Sequence, residues 1–164
     1  MMKQLYITFV RPLLDYGDLI WFPTNITNIR EVETIQRRAT KMIAEIRNKS
    51  YLERINDLGL STLYFRRSRM DLIQVYKILN NKCRLNVDKF FITRNKSNTI
   101  TLIQSNSKYH KKFSFRVVKP WNSFCKNIEL GKTIDNFKSI LDKSKFSEKR
   151  YNDPFLANWT LEFV

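Results

Sequence analysis

The sequence has little of what small-molecule chemistry is usually built from: two cysteines, one histidine and three glycines in 164 residues. Cys83 and Cys125 stand 42 positions apart, which fits neither a disulfide framework nor a zinc knuckle. A zinc site needs about four closely spaced Cys or His ligands. Both cysteines read as small core residues in a reducing compartment. Three glycines so far apart cannot form a phosphate loop. Acidic residues are also scarce, 15 against 30 basic ones, and no two are adjacent. A two-metal phosphoryl-transfer site needs clustered carboxylates that hold ions about 3.5–4 Å apart. Tyr16-Gly17-Asp18, followed by Leu19, therefore reads as a turn. No serine or cysteine sits in a nucleophile motif, and His110, set in a basic stretch, is a poor general base. Neither catalysis by this chain alone nor a cofactor, metal or small-molecule substrate is expected.

Long apolar runs are missing too. The longest uncharged stretches, Leu19–Ile29 and Ser97–Ser107, have 11 residues each, so no membrane-spanning helix is expected. Arg11-Pro12 interrupts Leu5–Val10 before a signal-peptide h-region can form. The expected setting is intracellular, cytoplasmic or nuclear. With 43% hydrophobic and 13% aromatic residues the chain is not of disordered composition, and its length allows a real core.

What is present reads as mainly α-helical: a bundle of three long helices with shorter ones, and a small β hairpin within residues 92–118. Lys3–Tyr16 carries Leu5, Phe9, Leu13 and Tyr16 on one stripe, with Pro12 bending the helix or starting a second turn. Asp18–Asn28 is a connection in which Trp21 and Phe22 pack down. Asn28 and Glu31 resemble a capping box for a second helix with Ile29, Val32, Ile35 (or Gln36), Ala39, Met42, Ile43 and Ile46 at helical spacing. Ser50 and Glu53 cap a short third helix that Gly59 ends. Ser61 or Thr62 starts a long fourth, to about Asn81, with Leu63, Met70, Ile73, Tyr76 and Leu79 inward. Beyond it, Val87–Ile92 suggests a helical turn and Thr99–Ile103 a short strand or hairpin, whereas Phe113–Phe124 fits helix or strand equally. Thr133 caps a last helix with Ile134, Phe137, Ile140 and Leu141 inward. The resulting division is a bundle over 1–86, a basic region over 87–143 and a tail over 144–164, where Phe155, Leu156, Trp159, Leu161 and Phe163 could dock on the bundle.

The formal charge is +15, and its distribution says more than its sum. Abundant Lys, Ile and Asn with scarce Gly, Ala and Pro is the skew of an A/T-rich coding sequence, which discounts part of the total. The four Asn-x-Ser/Thr triplets, at Asn25, Asn48, Asn95 and Asn158, are no more than such an Asn-rich chain would give by chance. From Lys89 to Ile128, however, there are nine basic residues and no acid. Such a stretch repels itself unless it is solvated or faces a polyanion. Arg37, Arg38 and Lys41 share one helical turn, and Arg66, Arg67 and Arg69 open another helix. Arginine forks match phosphate oxygens, and helix faces can present them to a backbone. Lys108, Lys111, Lys112, Arg116 and Lys119 are interleaved with Tyr109, His110, Phe113 and Phe115, a mixture suited to single strands or duplex ends. Set against this, the helix faces could simply be solvated, with partners such as Glu33 and Arg37 at i, i+4, and the rings could be core.

Several segments together resemble non-LTR retrotransposon reverse transcriptases of the LINE and jockey-like kind. They begin with Leu5-Tyr6-x-x-x-Val10-Arg11-Pro12-x-Leu14-x-Tyr16 and Trp21-x-Pro23, and continue with Ile35-Gln36-Arg37-Arg38-Ala39-Thr40-Lys41. Leu58-Gly59-Leu60-x-Thr62-Leu63 and Arg66-Arg67-x-Arg69-x-Asp71-Leu72-Ile73 follow, then Tyr76-Lys77-Ile78 and Phe115-x-Val117-Val118-x-x-Trp121-Asn122-Ser123. The matches cover roughly residues 5–142 in the family's order. The resemblance implies a helical thumb and the portion beyond it, lying after the catalytic palm. It also implies that the metal-binding aspartates of the RNA-directed DNA polymerase belong to sequence this chain lacks. The implied partners are template RNA or an RNA–DNA hybrid and the missing palm and fingers. Gly17 departs from a common alanine, and Phe124-Cys125 stands where Leu-Pro is frequent. A free-standing basic RNA- or DNA-binding module and a decayed fragment are the alternatives.

Overall fold

A computed structural model describes residues 2–23, 25–96, 99–103, 113–125 and 133–144. The architecture is mainly helical, with one two-stranded antiparallel hairpin. The described residues divide into two compact units, one ending at Arg67 and one beginning at Ser68. The division thus falls inside the long fourth helix of the sequence reading rather than at residue 86.

In the first unit, α1 (Met2–Leu5), a π turn (Tyr6–Val10) and α2 (Arg11–Asp15) follow one another without a break. Pro12 sits in the first turn of α2 and has no N–H to offer the Thr8 carbonyl. Just before it the ladder slips by one residue, and the Arg11 N–H donates to the Tyr6 carbonyl. The helix expected over Lys3–Tyr16 is therefore present, but its buried side is the opposite one. Leu5, Phe9, Leu13 and Tyr16 face solvent, while Tyr6 is buried with Ile7 and Val10 against it.

Helix α3 (Ile26–Lys41) starts ahead of the expected Asn28–Glu31 box, because Asn25 is the cap and accepts from the Thr27 N–H at 3.0 Å. Its inner face is Ile29, Glu33, Gln36 and Thr40, and the expected core residues Ile35 and Met42 are exposed. Helix α4 (Tyr51–Asp57) has the full capping box between Ser50 and Glu53. It ends at Gly59, φ +61°, with the Gly59 N–H on Asn56 O at 2.9 Å and the Leu60 N–H on Ile55 O at 2.8 Å. That Schellman pattern needs a left-handed residue, which glycine adopts without steric cost.

The centre of this unit is hydrogen-bonded as well as apolar. Gln36 accepts from the Tyr6 hydroxyl at 2.8 Å and donates to the Tyr51 hydroxyl at 2.7 Å and to Ser61 O at 3.0 Å. The Tyr51 hydroxyl donates to one oxygen of the Glu33 carboxylate, and the other oxygen accepts from the Leu63 N–H at 2.9 Å. Leu63 opens α5 (Leu63–Leu79), so Glu33 satisfies an orphan donor at the positive end of that helix. Thr62 holds the same turn, accepting from the Phe65 N–H at 3.2 Å.

In the second unit α5 buries Leu72, Ile73, Val75, Tyr76 and Ile78. After a 3-10 turn (Val87–Lys89), β1 (Ile92–Lys96) pairs with β2 (Thr99–Ile103) from Ile92↔Ile103 to Lys96↔Thr99. Phe113–Phe124, open between helix and strand in sequence, is helical: α6 (Phe113–Arg116) and α7 (Val118–Cys125). The break at Val117 follows from Pro120, which cannot donate to the Arg116 carbonyl and is tolerated in the first turn of α7. Helix α8 (Ile134–Lys143) is capped by Thr133, accepting from the Asn136 N–H at 3.1 Å. Its Phe137 is fully buried, stacked on Tyr76 with centroids 4.3 Å apart and edge-on to Phe124 at 5.7 Å. The tail over 144–164 lies outside the described residues apart from Ser144. Among the described residues no helix is long and apolar enough to cross a membrane.

Phe137→Ala should lower stability by about 3–5 kcal/mol in denaturant unfolding. Burial pushes the Cys125 thiol up to about 12, whereas Cys83 is half-buried. A thiol reagent near neutral pH should therefore label Cys83 in the native chain and both cysteines only after denaturation.

Candidate nucleic-acid interface

The residues read from the sequence as phosphate ligands fall into three groups. Arg38 and Lys41 lie in the last turn of α3 and are exposed, as is Lys119 on α7. No ion pair among the described residues engages any of the three. Cations at a helix C-terminus also complement its dipole, so the position of Arg38 and Lys41 has a structural use beside any binding use.

The second group is committed within the fold. Arg37 is half-buried, its guanidinium 4.9 Å from the Tyr51 ring centroid, and burial lowers its proton affinity. Its expected helical partner Glu33 is turned inward to Leu63 and Tyr51. Arg66 reaches Asp15 at 2.7 Å. Arg67 is 2% exposed, donates to Leu14 O at 2.6 Å and lies 4.1 Å over the Trp21 ring. Burial depresses its proton affinity, partly offset by Asp18. Arg69 grips Asp142 with two nitrogens, both at 2.7 Å. Arg116 does the same to Asp71, both at 2.8 Å, with side chains 10% and 8% exposed. At the start of α5, then, Arg67 is buried, while Arg66 and Arg69 are paired with carboxylates and keep 41% and 25% of their side chains exposed. Asp15, Asp142 and Asp71 come from 51, 73 and 45 residues away, where helical spacing cannot reveal them. Trp21, expected to pack down, is partly exposed and serves as the platform for Arg67.

The third group, Lys108, Lys111 and Lys112, lies outside the described residues, together with Tyr109 and His110. Of the neighbouring rings, Phe113 is partly buried with its centroid 6.1 Å from that of Phe91, consistent with a core role. Sequence reasoning passed over Arg47 in the first unit and Lys82 and Arg84 in the second, all exposed, as is Lys89, which opens the acid-free stretch. Their only signal was sparse neighbouring acid, Glu45 and Asp88 being the nearest. Among the described residues no three Cys, His, Asp or Glu side chains are grouped to hold a metal ion.

No protein-family model matches the chain, and no curated protein or solved structure is similar enough to match it. The functional reading therefore stands on the residues themselves.

Asp71→Ala would leave the Arg116 guanidinium buried without its carboxylate and should cost about 3–5 kcal/mol of stability. Replacing the pair together, as Asp71→Leu with Arg116→Met, should cost far less. Denaturant midpoints of the double variant and of its two single-site counterparts check this, since a double-variant loss equal to the sum of the single losses would mean the pair is not coupled.

Proposed function

We propose that the chain is a non-catalytic carboxy-terminal portion of a non-LTR retrotransposon reverse transcriptase, and that it holds template RNA or RNA–DNA hybrid electrostatically. The observation that carries the binding reading is the surplus of exposed cations. The described ion pairs occupy Lys49, Arg66, Arg69, Arg116 and Lys138, and Arg38, Lys41, Arg47, Lys82, Arg84, Lys89 and Lys119 remain at the surface. The acid-free stretch that includes Lys108, Lys111 and Lys112 adds to that surplus. The origin reading rests on the ordered resemblance over residues 5–142. Several of its motif residues have evident structural work, among them Gln36, Gly59, Thr62 and Asp71, which supports a shared fold more than a shared surface.

A grip of this kind is sequence-tolerant and releases counterions. With about 4–6 phosphate contacts, binding to duplex or hybrid should fall with salt at a log–log slope of about −4 to −5. The double variant Arg38→Ala/Lys41→Ala should make that slope shallower by about two, since each phosphate contact contributes about one. Arg67→Ala should lower stability and leave the slope alone. Filter binding or fluorescence anisotropy across a salt series reads all three. Absence of binding at low salt, or binding indifferent to salt, overturns the proposal.

A further inference from the structure

The first helical segment carries an apolar row that the fold leaves uncovered. Leu5 is 43% exposed, Phe9 66%, Leu13 75% and Tyr16 83%, and Ile20 in the following turn is 88% exposed. The other side of the same segment is buried through Tyr6, so the row is a true outer face. Together these side chains expose on the order of 700 Å², more than the largest apolar patch of a typical monomer, about 300–600 Å². It approaches the roughly 800 Å² per partner that a standard stable interface buries.

We propose that this row is a self-association surface, pairing antiparallel with the same row of a second copy of the chain. The argument for a second copy is complementarity in shape and charge. Aliphatic and aromatic residues alternate as Leu5, Phe9, Leu13 and Tyr16. An antiparallel two-fold contact therefore sets each Phe9 beside the other copy's Leu13 and each Leu5 beside its Tyr16, an isologous arrangement. Charge points the same way. Between Gln4 and Leu14 the only charged residue is Arg11, which is half-buried, and Asp15 is held by Arg66. Elsewhere the chain presents a large positive excess that repels its own copies, but along this row two copies meet no like charge. The absence of cations along the row also leaves a nucleic acid or an anionic lipid surface nothing to bind there. This inference is independent of the nucleic-acid reading.

Sedimentation of the nuclease-treated full-length chain over a concentration series at rising sodium chloride tests it. The expected result is a monomer–dimer equilibrium that tightens with salt, because screening removes the repulsion between the copies while apolar contact persists. Nucleic-acid binding has the opposite salt dependence, so either reading can fail without the other. Phe9→Glu and Leu13→Glu should each weaken dimerisation by about tenfold or more, whereas Phe9→Leu should preserve it. Both positions are exposed, so thermal melts of the variants should match the parent at concentrations where the parent is monomeric, and the salt series on the parent needs no variant at all. A monomer at every concentration and salt, a dimer that loosens with salt, or one undiminished by both glutamate variants overturns the proposal.

Discussion

The carboxylate of Glu33, enclosed at 1% exposure beneath the first turn of α5, is the constraint from which the first unit is organised. A buried carboxylate is tolerable only when its oxygens are met by donors. Here the Leu63 N–H meets one and the Tyr51 hydroxyl the other, with the Gln36 amide alongside at 3.4 Å. Burial raises the phenol pKa values of Tyr51 and Tyr6 above the ordinary value, so both hydroxyls stay protonated donors. The consequences propagate outward. Turning Glu33 and Gln36 inward rotates α3 so that Ile35 and Met42 reach solvent. Seating the Tyr6 hydroxyl on Gln36 in turn rotates the first helix so that Leu5, Phe9 and Leu13 do the same.

The arginines show a parallel economy. A count of basic residues treats Arg66, Arg67, Arg69 and Arg116 as a charged surface, yet each is drawn to an acceptor far away in sequence. Arg67 is the extreme case, holding a backbone carbonyl with one end while its plane covers the Trp21 ring. Lysine could not substitute there, because a planar fork both stacks and donates. The acid-free span that begins at Lys89 is not wholly without counter-charge, since α5 supplies Asp71 to Arg116. The polyanion reading rests on the cations left at the surface, a smaller set than the composition suggests.

Most features governed by neighbours within a few residues were legible in the sequence, the Asn28–Glu31 box, displaced to a cap at Asn25, being the exception. The Ser50–Glu53 box, the Gly59 stop, the Thr62 and Thr133 caps and the strand at Thr99–Ile103 all follow from local backbone chemistry. So did the inward face of α8, where Phe137 and Leu141 are buried as periodicity requires. Periodicity finds a helix and its faces, but it assigns the core by assuming that the apolar face goes inside. That assumption held for α8 and failed for the first helix and, at Ile35 and Met42, for α3, where a long-range polar network, invisible to hydropathy, fixes the inner side. The candidate interface was less legible for the same reason: pairing across 45 to 73 residues decides which cations are free.

The two departures from the resembled pattern can be judged by the geometry they occupy. Gly17 has φ +67° and its carbonyl accepts from the Ile20 and Trp21 N–H groups at 2.8 and 3.0 Å. A Cβ there would stand 3.2 Å from the Trp21 ring and impose left-handed strain. Glycine at 17 therefore permits the tight turn that brings Trp21 under Arg67, and alanine would oppose it. Phe124 and Cys125, in place of Leu-Pro, are both buried in the second core, Phe124 edge-on to Phe137. Here each departure is matched by its surroundings, Gly17 by a left-handed turn and Phe124 and Cys125 by the core they help to fill.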